Sequence, residues 1–173
     1  MDKLVPDIYQ KSIYTIDYKK LKKNGIKCLM FDLDNTIAPL TVSVPDKKMK
    51  DQIEHVKDMG FRVIILSNGP KFRVNPFKDG LNLDSSHSSM KPMKKKYIKI
   101  MKMYNLEDTE VACIGDQLLT DVLGANRMGL TSILVNPVST DDIPITKINR
   151  FLENFIYNKL EKKGLLTKGN YYD

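Results

Sequence analysis

The sequence predicts an α/β fold with a central parallel sheet and helices on both faces. Three observations point there. Four short apolar runs, CLMF from Cys28, FRVIILSNG from Phe61, VACIG from Val111 and TSILVNP from Thr131, have the length and composition of buried strands. Segments of helical periodicity separate them. Three of the four runs also end in polar, reactive residues, as strands do where the carboxyl edge of a parallel sheet forms a binding crevice.

The elements follow in chain order. Residues 1–25 mix aromatic residues with lysines and end in KKNGIK, where Asn24-Gly25 marks a turn or helix stop, so this stretch reads as a basic, amphipathic leader to the first strand. After Phe31 come two aspartates separated by one residue, then PLTVSVP, a loop. In DKKMKDQIEHVKDMG the residues Met49, Ile53, Val56 and Met59 fall at helical spacing and Gly60 ends the helix. Residues 69–90 are rich in Gly, Pro, Asn, Asp and Ser, and predict a loop with at most one helical turn around Phe72 to Phe77. From Lys91 to Tyr104, the positions of Met93, Tyr97, Ile100, Met101 and Tyr104 mark a further helix. VACIGDQLLTDVLGANRMG repeats the order of strand, acidic turn and helix before the last strand. The tail, residues 144–163, places Ile145, Ile148, Phe151, Leu152, Phe155, Ile156 and Leu160 on one helical face. Packing of that face onto the sheet is the expectation, with a membrane interface as the alternative.

Length and composition narrow the function classes. A chain of 173 residues suits one domain with a core of its own. It has no apolar run of about 18 residues and no signal-peptide core, which predicts a cytoplasmic protein. Cys28 and Cys113 lie in apolar runs and read as small core residues, neither a disulfide framework nor a zinc site. His55 and His87 stand apart from any serine nucleophile motif, so a Ser-His-Asp mechanism has no support. The formal charge of +7 gathers in two lysine-rich segments, Lys11 to Lys27 and Lys91 to Lys102. Those lysines are either solvated helix faces or a surface for a polyanion such as anionic lipid, nucleic acid or the ribosome.

The strand ends carry the chemistry. Taken together, DLDNT at Asp32, Ser67-Asn68, Lys91-Pro92 opening a helix, and GDQLLTD at Gly115 resemble the haloacid dehalogenase (HAD) superfamily of phosphatases. That resemblance implies a three-layer, Rossmann-like HAD fold. Independently of it, carboxylates crowded at one sheet edge repel unless a cation neutralises them, and oxygen-only ligands suit Mg²⁺; Asp32, Asp34 and Asp116 are the expected metal ligands. By the family's pattern Asp32 is the nucleophile and Asp34 the general acid and base. The same pattern makes Ser67, Asn68 and Lys91 the phosphate-binding groups. Asp121 then holds a metal-bound water or orients Lys91, and Thr36 and Asn35 brace the first loop.

Only about thirty residues separate Thr36 from Ser67, and the segment from Gly69 to Lys91 is also short, so neither gap holds a large cap domain. An open site favours substrates that bring their own bulk. The match extends from about Pro6 to Lys163 and resembles the cap-less subfamily IIIA phosphatases of bacteria, the YqeG-like family, related to the mitochondrial phosphatidylglycerophosphate phosphatases. Two departures stand out: NGPKFRVNPFKDG follows Ser67 in place of an asparagine-rich turn and a regular helix, and Met90 precedes Lys91 where a basic residue is expected. The resemblance implies a phosphomonoester substrate with an anionic lipid headgroup, hydrolysed through an aspartyl-phosphate, and peripheral association at the inner face of the membrane. The alternatives are a soluble phosphatase of a nucleotide, sugar phosphate or phosphoprotein, and an RNA- or ribosome-associated assembly factor with vestigial hydrolysis. Nucleic acid is not the expected partner, since no aromatic-basic RNA-binding motif is present.

Overall fold

The computed structural model describes residues 2–173, with the backbone alone described at position 145. Among these residues six strands, β1 (Ile8–Gln10), β2 (Cys28–Phe31), β3 (Arg62–Leu66), β4 (Asp84–Ser86), β5 (Val111–Gly115) and β6 (Thr131–Val135), form one sheet. Their order is β1-β6-β5-β2-β3-β4 and every pairing is parallel. The helices are α1 (Tyr18–Lys23), α2 (Lys47–Asp58), α3 (Lys71–Leu81), α4 (Lys95–Met103), α5 (Leu123–Met128) and α6 (Pro144–Lys162).

Strand β2 is buried at all four residues because it lies mid-sheet with helices on both faces. Its side chains alternate between two cores. Leu29 and Phe31 pack with Ile53 and Val56 of α2 and Phe77 of α3, whereas Cys28 and Met30 pack with Tyr97 and Ile100 of α4 and Ala125 of α5. The four expected strands are the four central ones, and no large cap interrupts the passage from β2 to α2.

Both edge strands went unpredicted. β1 comes from the N-terminal segment, where Asp7 fastens it to β6 by accepting from the Ser132 N–H at 2.8 Å. β4 is three polar residues, Asp-Ser-Ser, and an edge strand so short and polar has no alternation to read.

The segment after Ser67 corrects the expected loop: α3 is a helix of 11 residues despite Pro76 inside it and Gly80 near its end. Pro76 cannot bond the Phe72 carbonyl, and the helix runs on through it without that one hydrogen bond. A Cβ on Gly80 would stand 2.6 Å from Cγ of Pro45, so glycine there lets α3 close on the loop before α2. The breakers in the sequence thus serve packing.

The tail is helical as expected, but its facing is largely reversed. Leu160 packs with Tyr9, Leu118 and Leu134, and Ile156 leans on that cluster. Ile148, Phe151, Leu152 and Phe155 point away from the protein, while Arg150, Glu153 and Tyr157 turn inward. Ile145's side chain lies outside the described residues. The inward turn of a polar stripe has its cause in the site below.

Candidate active site

The adjacency of β5, β2 and β3 brings their carboxyl ends side by side, and with them Asp116, Asp32 and Ser67. Asp32 follows β2 directly; Asp116 follows β5; Asp121 comes from the π-helical turn Leu118–Val122 leading into α5. Asp32, Asp116 and Asp121 each offer a carboxylate oxygen, all within 4.8 Å of one another, and all three are buried. Thr36 Oγ1 lies 3.2 Å from both Asp32 Oδ2 and Asp116 Oδ1 and ties two of them together.

Lys91 sits inside this cluster. Its Nζ donates to Asp32 Oδ1 at 2.7 Å and to Asp121 Oδ1 at 2.6 Å, with only 4% of the side chain exposed. Burial alone would lower the lysine's pKa, but Asp121 and Asp32 outweigh it and hold the ammonium charged. Gly115 makes room for the arrangement, since a Cβ there would lie 2.1 Å from Cγ of Asp121. The glycine of the GD pair is therefore a steric requirement of the acid five residues after Asp116.

Lys91, with Arg150 on Asp116, does not offset three buried carboxylates, since Arg150 is shared with Asp142 and Glu153. Burial pushes Asp32 up to about 8, with Lys91 pulling down and Asp121 and Asp116 pushing up. Burial likewise pushes Asp116 up to about 6, against the pull of Arg150. A cluster of oxygen donors with this much unbalanced charge fits a hard divalent cation.

Asp34, the third expected ligand, has its carboxylate apart from this cluster of three. Its carboxylate accepts from Arg73 Nε of α3 at 2.8 Å, and the chain turns just after it, where Asn35 takes a left-handed conformation (φ 61°). Arg73 is anchored in turn by the carbonyls of Pro39, at 3.1 Å, and Val42. Asp121 takes the place in the cluster that the sequence suggested for Asp34.

Asn68, which lines the cleft, also braces Lys91. Its side-chain amide accepts from the Lys91 N–H at 2.7 Å and donates to the Lys91 carbonyl at 3.2 Å, so it holds the lysine's backbone. Ser67 Oγ accepts from the Gly69 N–H at 3.0 Å, which directs its own hydrogen elsewhere. Asn35 donates to the Asp141 carbonyl at 2.7 Å and accepts from Ser139, tying the first loop to the segment before α6.

Three residues of the site were missed. Arg73 was hidden in the segment read as loop. Arg150 and Glu153 lie on the polar stripe of α6, which by default faces solvent. Arg150 donates to the Asp116 carbonyl at 2.9 Å and to its carboxylate, and pairs with Asp142 and Glu153, each at 3.5 Å. Glu153, 2% exposed, accepts from the Leu119 N–H at 2.8 Å. Only their i,i+3 spacing opposite an unusually apolar face hinted at this. Asp32, Asp34, Ser67, Asn68 and Lys91 line one cleft of about 350 Å³, bounded on its other sides by Phe72 and Arg73 and by Ile143, Thr146 and Asn149.

Residues 1–139 match the family described as mitochondrial PGP phosphatase. The chain belongs to that family. It is 37% identical to "Probable phosphatase YqeG" of Bacillus subtilis (strain 168), over 92% of this chain and 93% of that protein. It is 26% identical to "Phosphatidylglycerophosphate phosphatase 1, chloroplastic/mitochondrial" of Arabidopsis thaliana, over 94% of this chain but only 49% of that longer protein. Among solved structures, an uncharacterized protein from Listeria monocytogenes serotype 4b superposes with a TM-score of 0.54 at 20% identity, covering 69% of this chain and 85% of that one; this similarity bears on the fold alone. As a member of the PGP phosphatase family with the aspartate cluster in place, the chain is a HAD-type phosphomonoester hydrolase.

Proposed function

We propose that the protein is a Mg²⁺-dependent phosphatase that converts phosphatidylglycerophosphate to phosphatidylglycerol, working in the cytoplasm at the membrane surface. The observation that carries the proposal is the open cleft: the aspartate cluster lies at the sheet edge with no cap over it, bordered by the exposed side chains of Phe72 and Ile143. A lipid can present its phosphate to such a site while its tails stay in the bilayer. The Arabidopsis relative's name supports the same substrate. Among the described residues no helix is long and apolar enough to cross a membrane.

In this mechanism Asp32 is the nucleophile, oriented by Lys91 on one oxygen and Thr36 on the other. Asp32, Asp116 and Asp121 would hold the metal. When bound, a divalent cation neutralises the clustered carboxylates and the charge of the transferring phosphoryl group. The Asp32 oxygen forms a bond to phosphorus as the ester P–O bond breaks, and Asp34, carrying a proton on the oxygen that Arg73 does not hold, gives it to the departing glycerol oxygen. Water then attacks the aspartyl-phosphate; Asp34 takes a proton from it, the acyl-phosphate P–O bond breaks, and inorganic phosphate leaves. Ser67 and Lys91 provide fixed donors for the phosphoryl oxygens, which is where most of the catalysis of phosphoryl transfer resides. Arg73 keeps Asp34 facing the cleft and away from the metal ligands.

The test is phosphate release with Mg²⁺ from phosphatidylglycerophosphate in micelles against a panel of soluble phosphomonoesters, with Asp32→Asn as control. Preference for the lipid, lost in the variant and on chelation, is the expected result. Equal or faster turnover of a soluble ester would retain the mechanism and replace the substrate.

A further inference from the structure

Among the described residues, none covers the outward face of α6. Ile148 (57% exposed), Phe151 (62%), Leu152 (47%) and Phe155 (61%) lie together along it, the two phenylalanine rings edge to face at 5.1 Å. A surface helix ordinarily turns such residues inward. Here Arg150 and Glu153 occupy the inward positions because they hold Asp116 and the turn before α5. The apolar stripe is thereby committed to the outside.

We propose that this face, continued across the mouth of the cleft by Ile143 and Phe72, seats the protein on an anionic phospholipid bilayer with the cleft opening toward the headgroups. The proposal rests on the lipid-phosphate reading above and adds to it a surface and an orientation. Position supports it: α6 begins at the site, where Ile143 borders the cleft, and Phe72, 82% exposed, borders it from α3. Charge supports it as well. Two acids near the mouth are paired inward, Asp34 with Arg73 and Asp142 with Arg150, and one, Asp141, is exposed; against it stand three exposed lysines, Lys71 beside Phe72, Lys147 beside Ile148 and Lys159 one turn past Phe155. Exposed apolar side chains flanked by outward lysines match an anionic lipid surface, in which rings reach the acyl boundary and ammonium groups meet headgroups. A second copy of this chain would bring the same lysines against one another.

The chain contains no tryptophan, so F155W introduces a single fluorescent reporter. Its emission is expected to shift to the blue with phosphatidylglycerol-containing vesicles, far less with phosphatidylcholine alone, and to be quenched by brominated lipid. The double variant F151E/F155E is expected to lose about tenfold or more in vesicle partitioning while hydrolysing 4-nitrophenyl phosphate in solution at the wild-type rate. Undiminished vesicle binding by the double variant, or no vesicle binding by the unmodified chain, overturns the surface. So does sedimentation showing a dimer that the double variant dissociates, with vesicles unbound. The substrate and the surface fail separately: vesicle binding through this face without hydrolysis of the lipid removes the substrate, and hydrolysis in micelles without vesicle binding removes the surface.

Discussion

Arg73 Nε stands 2.8 Å from Asp34 Oδ1, and this ion pair holds the two aspartates of the DLD segment apart in role. Two carboxylates so close in sequence would otherwise compete for the same cation. With Asp34 fixed on α3's side, Asp32 is left to Lys91, Thr36 and the cluster. Arg73→Gln is therefore expected to lower kcat by about ten- to a hundredfold with little change in KM, a fraction of what a general acid contributes. The effect on the first step should be large for an alkyl phosphate, whose leaving oxygen needs a proton, and small for 4-nitrophenyl phosphate, whose leaving group does not. Steady-state kinetics with both esters check this; equal losses on the two, appearing in KM, would assign Arg73 to substrate binding.

Gly115→Ala tests the packing beneath the aspartate cluster. The added methyl meets Asp121 Cγ at 2.1 Å, and Asp121 cannot retreat because Lys91 is clamped on it. Overpacking of this kind costs about 1–3 kcal/mol of stability, and displacement of a ligand in the cluster should weaken Mg²⁺ binding by about ten- to a hundredfold. Thermal unfolding with and without Mg²⁺ reads both: a lower midpoint in chelator, and a smaller rise on adding metal. An unchanged rise would show that Asp121 is not needed by the ion.

Glu153 gives a pH dependence with a definite sign. Burial pushes its carboxyl up to about 7 from the ordinary 4.5, although the Leu119 N–H and Arg150 pull the other way. Between those two values the folded protein keeps a proton that the unfolded chain releases. Stability from this group is thus complete below the lower value and is lost as pH rises through the upper one. Glu153→Gln keeps the acceptor for Leu119 and removes the titration. Urea unfolding of the metal-free protein between about pH 4.5 and pH 7.5 should show the wild type losing stability relative to the variant as pH rises. Parallel curves would contradict it.

The legible part of this protein was the part governed by period and by strand ends. β2, β3, β5 and β6 are apolar runs of strand length, and the residues that follow three of them, Asp32, Ser67 and Asp116, meet because parallel neighbours share a carboxyl edge. What escaped had physical reasons. α3 carries Pro76 and Gly80, normally breakers, and its close approach to Pro45 needs the glycine. β4 is too short and polar to show alternation. The separation of the Asp34 carboxylate from the cluster goes with a partner, Arg73, 39 residues away. The inversion of α6 depended on Arg150 finding Asp116, a tertiary contact that no helical wheel contains.

The most direct measurement is mass spectrometry of Asp34→Asn quenched in acid during turnover of 4-nitrophenyl phosphate with Mg²⁺. That leaving group departs without a proton, so the first step proceeds, while the second stalls for want of a base. The account predicts a single phosphoryl adduct on the peptide carrying Asp32, absent in the Asp32→Asn/Asp34→Asn double variant. An adduct on Asp116 or Asp121, or turnover with no adduct at all, would contradict Asp32 as the nucleophile.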